Sequence, residues 1–293
     1  MKNLLCLLLS LLAVSSFSQS FYAARGERSL IFTGGLGTSS YYGDLANSSD
    51  IIGAQPNVNI GLQYYFSNRI GGRVELNWFT LAGDDAKATS GGRDQRNLSF
   101  QSSNFELSAV GIVNLYAHGD RYYRRPSFNL YGFAGVGLLY FNPKAKDPLT
   151  GNLVALQPLQ TEGKEYSLVT PTIPFGLGVR LKVTPQLNVA IEGGWRKVLT
   201  DYLDDVSGPS YLGTAAFSDP LAARMSDKRV DPAQQGLPGG VRGNPTSDDA
   251  YMLLNVKIEY YLPLDLGGGG NRKSYSKKRG SMYRYNRNGR LRK

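Results

Sequence analysis

The chain of 293 residues carries a formal net charge of +10 and contains one cysteine and one histidine. Its 35 glycines follow no three-residue period, which excludes a collagen-like fold, and a hydrophobic content of 41% argues against general disorder. A single histidine leaves little scope for metal or general-base chemistry. We therefore expect no catalytic residue, no metal site and no cofactor.

The first residues have the pattern of an export signal. Lys2 precedes a short apolar run from Leu4 to Val14, and a small-x-small cleavage motif follows at 16–18. The apolar run is too short for a transmembrane helix, which needs roughly 20 residues. The sequence predicts a signal peptide over 1–18 and a periplasmic segment over 19–27. The lone cysteine lies inside the signal, so the exported chain depends on no disulfide.

Beyond this segment, apolar and polar residues alternate with a period of two in eight segments, which glycine, proline and polar turns separate. Such alternation is typical of β-strands whose two faces meet different surroundings. No helix of any length is expected. In chain order the predicted strands cover about 28–42, 57–66, 70–82, 101–116, 128–141, 172–183, 187–198 and 250–262.

Two architectures produce this alternation. A soluble barrel or sandwich buries the apolar face, whereas an outer-membrane barrel exposes it to lipid and fills its interior with polar groups. The lengths of the connections distinguish these two architectures. The links after the second, fourth and sixth strands are short, and the others are long. The short links cover 67–69, 117–127 and 184–186, and the long ones cover 43–56, 83–100, 142–171 and 199–249.

Alternating short and long links are typical of an up-and-down membrane barrel, with short periplasmic turns and long outer loops. The sequence therefore predicts an all-β fold, an eight-stranded antiparallel up-and-down transmembrane β-barrel of the OmpA/OmpX type over 28–264. We expect it in the outer membrane, in contact with outer-membrane lipid and with both termini periplasmic.

Charged residues lie on the polar face of several predicted strands. An eight-stranded barrel is just wide enough for side chains to fill it, and charges buried there must be paired. Two interpretations remain open: an ion pathway or gate, and a solid ion-pair network without a continuous channel, which we favour. The candidate network comprises Arg73, Glu75, Glu106, Arg180, Lys182, Glu192, Arg196, Lys257 and Glu259.

Few other residues offer chemistry. His118 lies in the turn after the fourth strand, at the periplasmic side, whereas Asp201, Asp204 and Asp205 lie together at the opposite rim. These carboxylates suit either a divalent cation such as calcium or hydrogen bonds that cap a loop. Without a histidine nearby, protease chemistry of the omptin type is not expected. The tryptophans and tyrosines fit aromatic girdles at the membrane interfaces.

The positive charge is concentrated at the end of the chain, where residues 271–293 contain ten basic and no acidic residues. Glycines at 267–270 precede them. The composition predicts a flexible, disordered basic tail over 265–293, which we expect to dock a periplasmic protein. Simple attraction to anionic lipid is the alternative, and export excludes nucleic acid. The candidate docking residues are Arg272, Lys273, Lys277, Lys278, Arg279, Arg284 and Arg287.

If the tail is not the docking element, the next candidates are three arginines in the link after the fourth strand, Arg121, Arg124 and Arg125.

Several strings, in order, resemble the PorG-like outer-membrane barrel family of the Bacteroidetes. They include Tyr41–Leu45, Phe141–Ala145, Ile173–Gly176 and Arg242–Pro245. The most specific string lies in the last long loop and begins with Thr200, Asp201, Tyr202, Leu203, Asp204 and Asp205.

This resemblance implies an eight-stranded barrel associated with the type IX protein secretion system. In that system the family member accompanies a periplasmic ring formed by a lipoprotein and its partner protein. No catalytic centre is implied. The alternative is a general structural or adhesion barrel that acts through its outer loops, and an outer-membrane hydrolase is a remote third.

Overall fold

The computed structural model describes residues 29–46, 55–88, 92–118, 124–246 and 248–265. The predicted signal peptide and basic tail lie outside these residues, as does Arg121.

Eight antiparallel strands form a closed barrel, because each strand pairs with its neighbours along the chain and the last strand pairs with the first. This arrangement confirms the predicted fold class. The strands are β1 (Ser29–Tyr42), β2 (Gln55–Tyr65), β3 (Ile70–Asp84), β4 (Ser99–Asn114), β5 (Phe128–Tyr140), β6 (Val169–Lys182), β7 (Leu187–Val198) and β8 (Ala250–Asp265).

The connections alternate between the two ends of the barrel as the sequence predicts, and those at one end are shorter than those at the other, except that 115–127 is slightly longer than 43–54. We call one end of the barrel the turn end, where the turns 66–69, 115–127 and 183–186 lie together with the start of β1 and the end of β8. The opposite end, the loop end, has the four long connections. These cover 43–54, 85–98, 141–168 and 199–249.

The two faces of the wall have the polarity that a membrane barrel requires. In β2, Asn57 and Asn59 are 1% exposed, whereas the neighbouring Ile60 is 51% exposed. Each of the other seven strands likewise has a buried polar residue next to an exposed apolar one. The apolar face therefore points outward and the polar face inward.

The loop end carries its own small elements. A short strand, Pro143–Lys146, pairs with β4 and with Leu153–Ala155, and Ser210–Tyr211 pairs with Gly239–Val241. Two short helices, α1 (Arg93–Arg96) and α2 (Pro220–Ser226), lie in the second and fourth loops. None of the helices that the structure describes is long and apolar enough to cross a bilayer.

Candidate functional site

The middle of the barrel holds a four-membered ion cluster. Arg73 lies with its Nη1 atom 2.8 Å from Glu192 Oε2 and its Nε atom 2.9 Å from Glu75 Oε2. Lys257 places its Nζ atom 2.6 Å from Glu75 and 2.8 Å from Glu192. Each carboxylate therefore bridges both cations. All four side chains are 3% exposed or less, so the pairing offsets a large desolvation cost.

Glycines on the inner face make room for these side chains. A Cβ atom at Gly35 would lie 2.7 Å from Cγ of Lys257. A Cβ atom at Gly178 would overlap the ring of Tyr131, whose hydroxyl donates a hydrogen bond to Glu192 Oε2 at 3.0 Å. Each glycine is the direct cross-strand partner of the side chain that needs this space, Gly35 of Lys257 and Gly178 of Tyr131, so the neighbouring strand leaves room for the cluster.

A second ion pair lies nearer the turn end. The guanidinium of Arg180 donates to both carboxylate oxygens of Glu259, at 2.5 and 2.7 Å. Asn188 donates to the same carboxylate at 2.9 Å, and Arg180 also donates to Asn114 Oδ1 at 2.8 Å. This fork-to-fork geometry is the strong form of an arginine–carboxylate pair.

A third pair lies towards the loop end. Arg196 Nε lies 3.7 Å from Glu106 Oε2, and the Tyr251 hydroxyl donates to the same carboxylate. The three groups together contain four cations and four carboxylates. Lys182, the ninth predicted member, is half-buried at the turn end of β6.

Aromatic side chains close the interior at the turn end. His118 lies 3.0 Å from the Tyr261 hydroxyl through Nε2, and its ring centroid is 4.4 Å from that of Tyr65. Arg125 stacks on Tyr261 at 4.3 Å and donates to the Thr184 carbonyl at 2.9 Å. Burial lowers the pKa of His118 to about 4, so the imidazole is neutral near pH 7.

Arg125 therefore points into the barrel and is only 5% exposed, which contradicts its expected availability to a partner. Arg124, the preceding residue, is exposed.

An apolar cluster closes the interior at the loop end. The inner face of β3 changes from charged residues to Phe79 and Leu81, and that of β8 begins with Tyr251 and Leu253. From the loops, side chains that include Leu203 pack on these residues. This cluster was not predicted, although Phe79 and Leu81 occupy the same alternating, inward-facing positions of the strand as Arg73 and Glu75.

Above this cluster, one hydroxyl group joins two carboxyl groups. Tyr41 Oη lies 2.7 Å from Asp204 Oδ2 and 2.7 Å from Asp249 Oδ1. A hydroxyl has one proton to donate, so the second contact requires a protonated carboxyl. Burial raises the pKa of Asp204 well above its usual range and that of Asp249 to about 8, which supports one proton shared between them.

The other oxygens of this pair bind the loop backbone. The Leu203 amide donates to Asp249 Oδ2 at 2.9 Å, and the Val206 amide donates to Asp204 Oδ1 at 2.9 Å.

Arg242 joins the third and fourth loops. It forms an ion pair with Glu162, Nε to Oε1 at 2.9 Å, and donates to Thr161 Oγ1 at 3.1 Å. The Glu162 carboxylate also accepts the Gly208 amide at 2.7 Å. Asp205, whose φ of 68° is left-handed, accepts from Thr161 at 2.5 Å. Burial raises the pKa of Asp205 to about 6.

Arg96 joins the first, second and fourth loops. Its Nε atom lies 2.6 Å from Asp85 Oδ2, and its Nη2 atom donates to the Asp44 carbonyl at 2.8 Å. Its Nη1 atom donates to the carbonyl of Arg242. Asp85 is fully buried and also pairs with Arg93 at 3.0 Å. We call the described parts of the four loops, bound together in this way, the loop cap.

The family-like string contributes to the loop cap throughout. Thr200 accepts the Asp249 amide through its carbonyl at 3.3 Å, and Tyr202 stacks on Tyr166 at 4.8 Å. Asp201 is half-buried, and burial raises its pKa to about 7. Within the described parts of the chain, no group of three or more His, Cys, Asp or Glu side chains is arranged to hold a metal ion.

For these contacts, the sequence indicated the aspartates but not the residues that they contact. The aspartates of the string were candidates for a cation site or for hydrogen bonds that cap a loop, and Tyr41 and Arg242 lay in family-like strings, but none of the contacts that join the loops was predicted. Six further side chains make those contacts. These are Tyr41, Asp85, Arg96, Glu162, Arg242 and Asp249.

Solved outer-membrane barrels resemble the chain at low sequence identity. Neisserial surface protein A is 10% identical, with a TM-score of 0.42, and the match covers 80% of this chain and 99% of that one. A major outer membrane protein from Thermus thermophilus is 14% identical, with the same TM-score and the same shares. The outer membrane protein OprG from Pseudomonas aeruginosa is 12% identical, with a TM-score of 0.39, over 81% of this chain and 99% of that one.

Among curated proteins, none matches the chain. The family model described as outer membrane protein beta-barrel domain matches residues 6–215, which is well over half of the sequence. Together with the closed eight-stranded barrel and its inverted polarity, this match shows that the chain belongs to the outer membrane protein beta-barrel domain family.

Proposed function

We propose that this barrel is a non-enzymatic, accessory structural component of the type IX protein secretion system. In this role it docks a periplasmic ring formed by a lipoprotein and its partner protein. The proposal combines the resemblance of the loop string Thr200–Ser207 to the PorG-like family with one structural observation. That observation is the filled interior, which is closed at both ends by packed side chains.

A filled barrel is suited to holding a position rather than to passing a solute. The ion clusters occupy the middle of the interior, His118 and Arg125 occupy the turn end, and the apolar cluster occupies the loop end. An outer-membrane protein of this kind acts through its surfaces: the loop cap, the turns and the chain beyond β8. Docking at the periplasmic side would use the turn end and the predicted basic tail.

Affinity purification of the tagged protein from detergent-solubilised outer membranes tests this function. The full chain should retain a periplasmic lipoprotein and its partner, and deletion of 267–293 should release them while leaving a folded, heat-modifiable barrel. Retention by the truncated protein would move the docking site to the turns, where Arg124 is the exposed candidate. If deleting the gene leaves the profile of secreted cargo unchanged, the secretion role is wrong.

A polar groove in the loop cap favours a second candidate function, a structural or adhesion barrel with binding outer loops. The groove has a volume of about 350 Å³ and lies between α1 and the fourth loop. Its lining includes Gln95, Arg96, Tyr211, Arg229, Asp231 and Gln234. Altered surface binding with normal secretion, after substitution of Gln95 and Gln234, would support this candidate over the first.

A further inference from the structure

An apolar groove crosses the outer wall of the barrel. It has a volume of about 800 Å³ and lies over β4 to β7, near the turn end. Outward side chains that include Val113, Leu130 and Ile191 form its sides. Gly132 on β5 and Gly193 on β7 leave its floor bare, with Leu177 of β6 paired between them. We call this feature the wall groove.

Packing within the protein does not explain the two glycines. A Cβ atom at Gly132 would meet its nearest neighbour, Leu177 Cδ2, at 3.6 Å, and one at Gly193 would meet Leu254 Cδ1 at 3.9 Å. Both are ordinary van der Waals distances, whereas the inward-facing Gly178 has no room for a side chain. Glycine weakens a strand and often marks a position that a ligand approaches closely.

The glycines also leave Leu177 unusually bare. Its side chain is 74% exposed, compared with 47% for Phe175 on the same face of the same strand. Leu177 therefore stands as a ridge with a hollow on either side, and a flexible hydrocarbon chain fits such hollows because it adapts to their shape.

One cation lies at the mouth of the wall groove. Arg69, in the turn before β3, lines its turn end and is exposed. Among the described residues, none accepts a hydrogen bond from the Arg69 guanidinium; only its backbone groups bond, to Ser67 and Asn114. A guanidinium at the edge of an apolar groove is well placed to bind a phosphate oxygen pair.

We propose that the wall groove binds one phospholipid, with an acyl chain along the hollows beside Leu177 and the phosphate on Arg69. Membership of an outer-membrane family places this face in hydrocarbon, and Arg69, the cation among the described residues that line the groove, matches an anionic phosphate. The outward wall of a second copy, as far as its residues are described, would bring apolar side chains and no anion for Arg69. The inference rests on outer-membrane location and is independent of the secretion role.

Native mass spectrometry of the full chain tests the proposal. The delipidated protein in detergent is titrated with a phosphatidylglycerol of defined acyl chains and, separately, with the diacylglycerol that lacks its phosphate. The wild type should bind one phosphatidylglycerol, and both Arg69→Gln and the double variant Gly132→Val/Gly193→Val should weaken binding at least about tenfold. For diacylglycerol, only the glycine variant should have an effect.

Two matched controls separate the groove from general effects. Gly34→Val adds the same side chain at an outward glycine of β1 that also has space, and Arg124→Gln removes an exposed arginine from another turn. Valine suits a strand, so a folded, heat-modifiable barrel is expected for every variant. Both controls should bind phosphatidylglycerol as the wild type does.

The proposal is overturned if all four variants bind phosphatidylglycerol equally. It is also overturned if the purified wild type is a dimer that Gly132→Val/Gly193→Val converts to a monomer, because the occupant would then be a second copy. Binding of inorganic phosphate with no preference for the lipid would likewise contradict it.

Discussion

The hydroxyl of Tyr41, shared by two carboxyl groups, makes the loop cap sensitive to pH. Burial raises the pKa of Asp249 to about 8 in the folded protein, whereas the pKa of an unfolded aspartate is about 4. The folded state therefore binds more protons between these values, and its stability falls as the pH rises through this window. As the pH rises through this window the pair loses protons, and its carboxylates, with Asp44 and Asp201 nearby, repel each other more strongly.

We expect amide hydrogen exchange in 199–249 of the wild type to accelerate between pH 5 and pH 8 by more than the intrinsic chemistry of exchange does. The variant Asp249→Asn should not show this acceleration, because its amide donates to the Tyr41 oxygen while its carbonyl still accepts the Leu203 amide. Dividing the wild-type exchange rate by that of Asp249→Asn at each pH removes the intrinsic pH dependence of amide exchange. A constant ratio across this range would contradict the shared proton.

Glu192 is the most heavily bonded charge of the interior. It pairs with Arg73 and Lys257, at 2.8 Å in each case, and accepts from Tyr131 at 3.0 Å. Glu192→Gln leaves a buried cation short of its counter-charge, and we expect a loss of about 3–5 kcal/mol in the free energy of unfolding. Urea unfolding of the barrel in lipid vesicles measures this loss.

An exposed pair supplies the control for that experiment. Lys197 lies 3.5 Å from Asp248, with side chains 56% and 47% exposed. Lys197→Gln should change the free energy of unfolding by less than about 1 kcal/mol. Equal effects of the two substitutions would show that the interior cluster contributes no more than a surface pair.

The loops act as one element through the buried guanidinium of Arg242. Arg242→Met removes the partner of Glu162 and leaves that carboxylate buried, so we expect the third and fourth loops to separate at a cost of about 3–5 kcal/mol. Limited proteolysis should then cleave within 141–168 and 199–249 at lower protease concentrations. Lys197→Met, which removes the exposed pair with Asp248, is the control and should change little.

The elements of the wall could be predicted from the sequence, whereas the loop cap could not. Alternation with period two depends only on the order of residues along one strand. The strands and their inward-facing charges, such as Arg73 and Glu192, could therefore be predicted. Contacts such as Tyr41 with Asp204, 163 residues apart, depend on the three-dimensional arrangement of loops without periodicity. Phe79 and Leu81 were missed because the inner face was assumed to be polar along its whole length.

We expect the barrel as a whole to conduct no ions across the membrane. Open porins of the outer membrane use about twice as many strands, and here side chains fill the interior from the turn end to the loop end. Planar bilayer recordings of the purified full chain should show no large, stable conductance. A porin-like open state that persists at low voltage would contradict a sealed interior.

The orientation of the barrel is testable because the sequence has a single cysteine, Cys6. In a Cys6→Ser background, Ala233→Cys marks the loop end and Asn68→Cys marks the turn end, both at exposed positions. A membrane-impermeant maleimide applied to intact cells should label only Ala233→Cys, because we expect the turns to be periplasmic. Labelling of Asn68→Cys alone would invert the topology.

The pairing of interior charges also constrains how this barrel enters a membrane. Arg73 meets Glu192 across 119 residues, Lys257 meets Glu75 across 182, and Arg180 meets Glu259 across 79. No hairpin of neighbouring strands contains a complete set of these partners. A sheet that lacks β8 leaves Arg180 without Glu259, and a sheet that lacks β7 leaves Glu106 without Arg196, so each has an uncompensated charge at a cost of several kcal/mol. The four-membered cluster is complete only once β3 lies in one barrel with β7 and β8, so we expect the last interior charges to be neutralised when the barrel closes.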